Sequence, residues 1–464
     1  MRKVVCFLGL GGGRLRAALR GMALAAGALA LAAATGFAQP LSLDAVLKEA
    51  LEKNAAYLAA GADRRFAEQS HSSAGVAGYL PRVTANGAYT WSEQDTRQER
   101  TGNVVEERDG AQSVSRTAGV NARWTLFEGF AAPLEQKSLR VRRDQARAAE
   151  DQAREELLRR AALSWADLAR QTRLRAARDT VLSVSEERVR ILESRLRSGS
   201  AGRPEWLEGQ VDRNADRAAL VQQDAALLSS RLALGQLLGR GGPVTETPAD
   251  AGLPAAPLDR LALTAGLEDR QPAVQLAKAE RDLASTALWQ AAAPWYPRLE
   301  ANAGYTYSLS NNDAGLVREN RAVGPTAGLQ LSVNLFDGEL PWRVAGRGRT
   351  AVRAAELRLR EARTGAEAEV VRAHAAWLAA DSAAALEREG LGYARENLDL
   401  TMTRWKSGAL SYLEARMAQV KYLDAFTRAE NAQYDAFRAR LDALAAAGRM
   451  EQLLAETTSA PAAR

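Results

Sequence analysis

Four segments of the chain alternate apolar and polar residues with a period of two, the mark of strands with one face against an apolar medium. In the third, Leu299, Ala301, Ala303, Tyr305, Tyr307 and Leu309 share one face, and Asn302, Gly304, Thr306, Ser308 and Ser310 the other. The fourth sets Ala327, Leu329, Leu331, Val333 and Leu335 against Thr326, Gly328, Gln330, Ser332 and Asn334. The second sets Val120, Ala122, Trp124 and Leu126 against Gly119, Asn121, Arg123 and Thr125. The first sets Val83, Ala85, Tyr89 and Trp91 against Thr84, Asn86, Ala88, Thr90 and Ser92.

Around the strands the period becomes helical. Leu43, Val46, Leu47, Ala50 and Leu51 follow a candidate N-cap at Ser42 and predict a helix over about 42–73. Residues 134–197 contain no proline or glycine, and 342–407 only scattered glycines. Each stretch of about 65 residues predicts a rod on the order of 100 Å. Leu182, Ser185, Val189, Leu192 and Leu196 alternate spacings of three and four, as coiled coils do. Helices over about 205–238, 259–292 and 411–446 are each half a rod, so pairs of them laid end to end match one long helix.

The order repeats. Thr125-Leu126-Phe127-Glu128-Gly129 recurs as Asn334-Leu335-Phe336-Asp337-Gly338, and Arg195 to Gly199 recurs as Arg404 to Gly408, both 209 positions later. Tyr79-Leu80-Pro81-Arg82-Val83 recurs as Tyr296-Pro297-Arg298-Leu299, with Pro297 lying 216 positions after Pro81. The expected division is a signal at 1–38, a first repeat at 39–240, a linker at 241–258, a second repeat at 259–447 and a flexible tail at 448–464.

Alternation alone fits either a membrane barrel with a wet interior or an antiparallel sheet packed on helices. Tyr89, Trp91, Trp124, Tyr305 and Tyr307 favour the barrel, because membrane interfaces favour aromatic rings. So does the N-terminus. Arg2, Lys3, Arg14, Arg16 and Arg20 precede an apolar run from Met22 to Ala34, and Gly36-Phe37-Ala38 is a small-x-small cleavage site. No later stretch has the roughly 20 apolar residues of a membrane helix, so a membrane span must be made of strands. Four strands cannot close a membrane barrel, whose smallest natural forms have about eight. Three chains would supply twelve.

Composition removes other classes. Without residues 1–38 the chain keeps 57 basic and 56 acidic residues, which gives no field for nucleic acid. Its one cysteine, Cys6, falls in the signal, so the mature chain has neither a disulfide nor a thiolate site. The two histidines, His71 and His374, stand far apart in sequence and neither sits near a carboxylate motif. No phosphate loop, dinucleotide fingerprint or zinc spacing occurs, so neither catalysis, a cofactor nor a metal is expected.

Leu80-Pro81-Arg82-Val83, Leu126-Phe127-Glu128-Gly129 with its copy at 335–338, and the turns at Gly199 and Gly408 together resemble the TolC-type outer-membrane efflux family across about residues 41–447. The resemblance implies a mostly helical homotrimer. Four strands per chain would close a 12-stranded barrel in outer-membrane lipid, continued by a coiled-coil tunnel across the periplasm. It also implies export of small molecules or proteins, with a periplasmic adaptor and an inner-membrane pump as partners. A soluble periplasmic coiled-coil adaptor is the alternative; it would need no amphipathic strands.

The resemblance places the two turns at the periplasmic mouth, with Ser198, Gly199, Ser407 and Gly408 contacting the adaptor. A plain helix C-cap explains the glycines equally well. Glu205 and Glu414 fall where the family often carries an acidic constriction. A first-turn carboxylate facing the helix dipole is the simpler reading. The family's second acidic position is Glu208 in copy one but Met417 in copy two, which departs from a double acidic ring. Trp206 and Trp405 near the turns suit packing between helices.

Overall fold

The computed structural model describes residues 40–459 apart from 103, 250–256, 315–316, 337 and 339–340. The expected signal, the middle of the linker and residues 460–464 of the tail lie outside the described residues. Helices α1 (Leu43–Lys53) and α2 (Ala55–Ala77) lead into β1 (Arg82–Arg100) and β2 (Val104–Glu128). The long α3 (Ala131–Arg197) and α4 (Arg203–Leu237) complete the first copy. The second comprises α5 (Arg260–Thr264), α6 (Leu267–Arg270), α7 (Pro272–Ala292), β3 (Arg298–Asn312), β4 (Glu319–Ser332), α8 (Pro341–Lys406) and α9 (Tyr412–Ala446). A last helix, α10 (Glu451–Ser459), follows.

Both long helices match the expected rods, at 67 and 66 residues or about 100 Å each. The helices expected over 42–73 and 259–292 are broken. Asn54, in extended conformation, ends α1 and caps α2. Gly266 at φ 67° and Pro272 split the second segment into α5, α6 and α7. The breaks have one purpose in both copies, which is to abut two half-rods. The Asn54 amide accepts from Tyr57 N at 3.1 Å and donates to Leu237 O at 2.9 Å, so one side chain satisfies an N-terminus and the facing C-terminus. Gln271 does the same, accepting from Ala273 N at 3.3 Å and donating to Ala446 O at 3.1 Å. Gly239 and Gly448, at φ 68° and 62°, end α4 and α9 with paired Schellman hydrogen bonds.

These abutments lie halfway along the rods, in the main apolar core. Leu47, Leu158, Trp165, Leu234, Val244, Val370, Leu441 and Leu444 are buried there. The described part of the linker is pinned to it: Val244 is buried, Thr247 O accepts from Leu41 N at 2.8 Å, and Arg240 bridges Glu49 and Glu246 at 2.7 and 2.8 Å. Residues 451–459, expected within a flexible tail, instead form α10. Met450 and Leu453 are fully buried and Glu456 pairs with buried Arg440 at 2.8 Å. Burial of those two side chains gives the segment a reason to order that its polar ends conceal.

The sheet is antiparallel in the order β1-β2-β3-β4. Its register aligns Val83, Ala122, Ala303 and Ala327 in one row, and Ala85, Val120, Tyr305 and Pro325 in the next. One continuous apolar face results, with Val83, Val120, Tyr305, Leu329 and Leu331 exposed. On the other face the Asn121 amide donates to Asn86 Oδ1 at 2.7 Å. Strands β1 and β2 are 19 and 25 residues long rather than about ten. Beyond Ser113, β2 has no partner in β3, and the first hairpin continues as a two-stranded arm closed by Gly102 at φ 107°. Backbone pairing carries the strands past the point where apolar alternation stops.

Leu126-Phe127-Glu128-Gly129 marks the join of sheet and rod. Gly129 has φ 55°, and a Cβ there would lie 2.3 Å from Ala293 O. Phe130, at φ 66°, then stacks edge-on against Phe127 and Tyr296 at 5.3 and 6.0 Å. Gly338 in the second copy also has positive φ but stands in open space.

Candidate functional site at the helix turns and open edges

At the end of the rods farthest from the sheet, both turns are built alike. Gly199 and Gly408 adopt φ 73° and 82°. Ser200 N donates to Arg195 O at 2.8 Å and Ala409 N to Arg404 O at 2.9 Å, with Gly199 N and Gly408 N closing the inner bonds to Leu196 O and Trp405 O. These are complete Schellman caps. Ser198 Oγ and Ser407 Oγ donate to Arg195 O and Arg404 O at 3.0 and 2.8 Å. All four residues are exposed.

The starts of the following helices differ. Ser411 caps α9 in a capping box with Glu414. Ser411 N donates to Glu414 Oε2 at 2.8 Å, and Glu414 N donates to Ser411 Oγ at 3.3 Å. Donation from Ser411 N, and at 2.7 Å from Ser411 Oγ, holds the exposed Glu414 carboxyl below the usual range. In α4 the cap is Gly202, with no side chain to accept, and Pro204 occupies the first turn beside the half-buried Glu205. Glu414 therefore has a local structural role that Glu205 lacks.

Behind the turns lies a polar network that the spacing of apolar residues did not expose. Tyr412 Oη donates to Asp212 Oδ2. Arg416 grips Asp216 through two nitrogens, at 2.8 and 3.1 Å, and reaches Asp212 at 3.2 Å. Ser185 Oγ donates to Asp216 Oδ2 at 2.5 Å, and Gln419 Nε2 donates to Ser185 Oγ at 3.0 Å. Arg188 is buried over the Tyr412 ring, 5.2 Å from its centroid, and burial lowers its pKa. Burial first, then the Asp212 hydrogen bond, raises the Tyr412 phenol. Residues from α3, α4 and α9 thus form one charged cluster that ties the first hairpin to the second. Arg195 adds a second tie, donating to Trp405 O at 3.0 Å beneath the fully buried Trp405. Trp206 packs against this small core, so both tryptophans serve packing. Asp212 and Asp216 four apart, facing Tyr412 and Arg416 four apart, were the available signal.

Packing runs across the chain in one direction. The half-rods α2 and α4 lie on α3, which meets α7 and α9, and these lie on α8. The two outer members carry uncovered apolar stripes. On α4, Leu207, Val211, Val221, Leu228 and Leu232 are exposed; on α8, Leu357, Val371, Leu378, Leu386, Tyr393 and Leu400 are. Both follow near-heptad spacing. The sheet is open in the same sense, with β1 continuing α2 at one edge and β4 leading into α8 at the other.

An arc of rods ending in an amphipathic four-stranded sheet is the protomer of a membrane channel with a helical tunnel. The chain belongs to the outer membrane efflux protein family, whose model matches residues 46–240 and 265–449. It is an efflux channel of the outer membrane, and the reading as a soluble adaptor falls. Solved structures with a similar fold include the outer membrane protein VceC of Vibrio cholerae, at 19% identity and TM-score 0.69, covering 88% of this chain and 96% of that one. The CmeC outer membrane channel of Campylobacter jejuni has 11% identity and TM-score 0.71, covering 90% and 89%. The open-state MtrE outer membrane channel of Neisseria gonorrhoeae has 18% identity and TM-score 0.68, covering 88% and 89%. Comparison with curated protein sequences yields no match.

Proposed function

We propose that three copies of this chain close into one export conduit for small molecules or proteins, with the exposed stripe of α8 packing on α2 and α4 of the next copy. The two uncovered edges carry this reading. Two copies would give eight strands, a barrel that side chains fill. Three give twelve strands and leave a lumen. The tunnel would hold twelve rods about 10 Å apart, or about 40 Å between opposite axes. The family is one of transport channels, which supports a conduit rather than an enzyme. Purified protein in planar bilayers tests this: stepwise conductance supports the conduit, and recovery from a detergent-free periplasmic extract contradicts it.

The tip is the proposed meeting point with a periplasmic adaptor, which links the conduit to an inner-membrane pump. Ser198, Gly199, Ser407 and Gly408 are exposed there, on turns made rigid by their caps. Glu205 and Glu414 are the proposed acidic constriction, with Glu205 the freer of the two to face a passing ion. If Glu205→Gln and Glu414→Gln together leave cation selectivity and divalent-cation block unchanged, the constriction lies elsewhere.

A further inference from the structure

The lipid-facing side of the sheet carries two arginines at one level, and nothing in channel closure or export uses them. Arg116 shares the face of Ala118, Val120, Ala122 and Trp124; Arg321 shares that of Val323, Ala327, Leu329 and Leu331. The register puts Tyr89, Arg116, Leu309 and Arg321 in a single row across the four strands. Arg116 and Arg321 therefore stand two strands apart, about 10 Å. Strands β1 and β3 leave the helices and end at the hairpin tips, so this row lies toward the cell exterior.

Depth can be read along β4. From Leu331 to Arg321 is ten residues, about 33 Å of strand. At a tilt of about 40° that is roughly 25 Å of height, the thickness of an outer-membrane apolar band. The arginine row therefore sits where the acyl chains end and headgroups begin. It is the first charged level on this face: Glu319 and Glu93 lie one and two rows further out.

Each guanidinium rests on an aromatic face. Arg116 lies 5.7 Å from the Tyr89 centroid and Arg321 5.5 Å from that of Tyr307. Both side chains are exposed, and among the described residues neither has a carboxylate within salt-bridge distance. A cation–π contact occupies no N–H acceptor, and a guanidinium pairs with phosphate through two parallel hydrogen bonds.

We propose that Arg116 and Arg321, held by Tyr89 and Tyr307, bind the phosphate groups of outer-leaflet lipids and fix the height of the barrel in the membrane. The proposal rests on the membrane orientation above. The test uses the intact channel in mild detergent, incubated with phosphatidic acid or phosphatidylcholine of matched chains and weighed by native mass spectrometry. The wild type is expected to retain phosphatidic acid in preference, with each of Arg116→Gln and Arg321→Gln lowering the preference about fivefold and the double variant abolishing it. Conductance of the double variant in phosphatidylcholine bilayers, expected unchanged, shows that the barrel still forms. A wild type without preference, or a double variant that keeps it, overturns the proposal. Absence of conductance from the wild type overturns the membrane reading and this proposal with it.

Discussion

Replacing Tyr412 with Phe and Arg416 with Gln removes the two α9 side chains that hold Asp212 and Asp216 in the charged cluster behind the turns, while leaving its apolar surroundings intact. Tyr412 Oη makes a hydrogen bond to a carboxylate, a class worth about 1.5–3 kcal/mol. Arg416 and Asp216 are 18% and 10% exposed, close to a buried pair, for which loss of one partner costs about 3–5 kcal/mol. Two features reduce the sum. Both changes act on Asp212, so they are not additive, and Arg188 remains nearby as a cation for the two carboxylates. A joint loss of about 4 kcal/mol follows, which shifts an equilibrium between tied and parted hairpins by about a thousandfold. The Schellman bonds at Gly199 and Gly408 and the Ser411–Glu414 capping box keep each turn folded, so the loss appears as loosening between the hairpins, opposed by the shared core of Leu192, Trp405 and Ala415 and by the Arg195 tie. Conductance of single channels in planar bilayers reads this out, with the double variant expected to conduct more than wild type. Unchanged conductance, together with unchanged cross-linking between cysteines placed at Ser200 and Ala409, would refute the cluster's role as a tie between the hairpins.

Gly129→Ala is expected to abolish assembly, because its Cβ would meet Ala293 O at 2.3 Å with φ at 55°, whereas Gly338→Ala meets open space and costs only backbone strain of about 1–2 kcal/mol; thermal unfolding of extracted protein separates the two. Asn54→Ala orphans both Tyr57 N and Leu237 O and should cost about 1–3 kcal/mol, with Gln271→Ala close to it; hydrogen exchange at the abutments reports each. Burial raises the Glu155 carboxyl to about 7, where it accepts from Met450 N at the start of α10. A carboxyl raised in the folded state stabilises most below its unfolded value, and that benefit is lost as pH rises from about 4.5 to about 7. Protease protection of residues 451–459 should therefore fall from pH 5 to pH 8, and Glu155→Gln should flatten the profile. Leu329→Arg, on the lipid face, should cost about 2–4 kcal/mol and lower the yield of membrane-inserted protein, while Gln330→Arg on the opposite face should not.

The long helices, the four strands, their faces and the two glycine turns were all legible in the sequence, because each rests on local periodicity or on a residue type with one physical use. Asn54 and Gln271 were not, since their side chains join helix ends 183 and 175 residues apart and leave no periodic trace. The strand arm beyond Ser92 was missed because its strands are joined by backbone pairing and by charged pairs such as Arg97–Glu107 at 2.8 Å, which leave no apolar alternation. Helix α10 was hidden by its polar ends, although Met450 and Leu453 fill the core. At the tip, the turns were found and the network behind them was not. Asp212, Asp216, Tyr412 and Arg416 look like solvated helix charges until α4 and α9 are set against each other.

The most direct test is single-particle imaging of the channel extracted from its membrane. A three-fold tube with twelve strands is predicted, in which α8 of each copy covers Leu207, Val221 and Leu228 of the next. A closed assembly of another order, or a trimer that leaves the α4 and α8 stripes facing solvent, would contradict it.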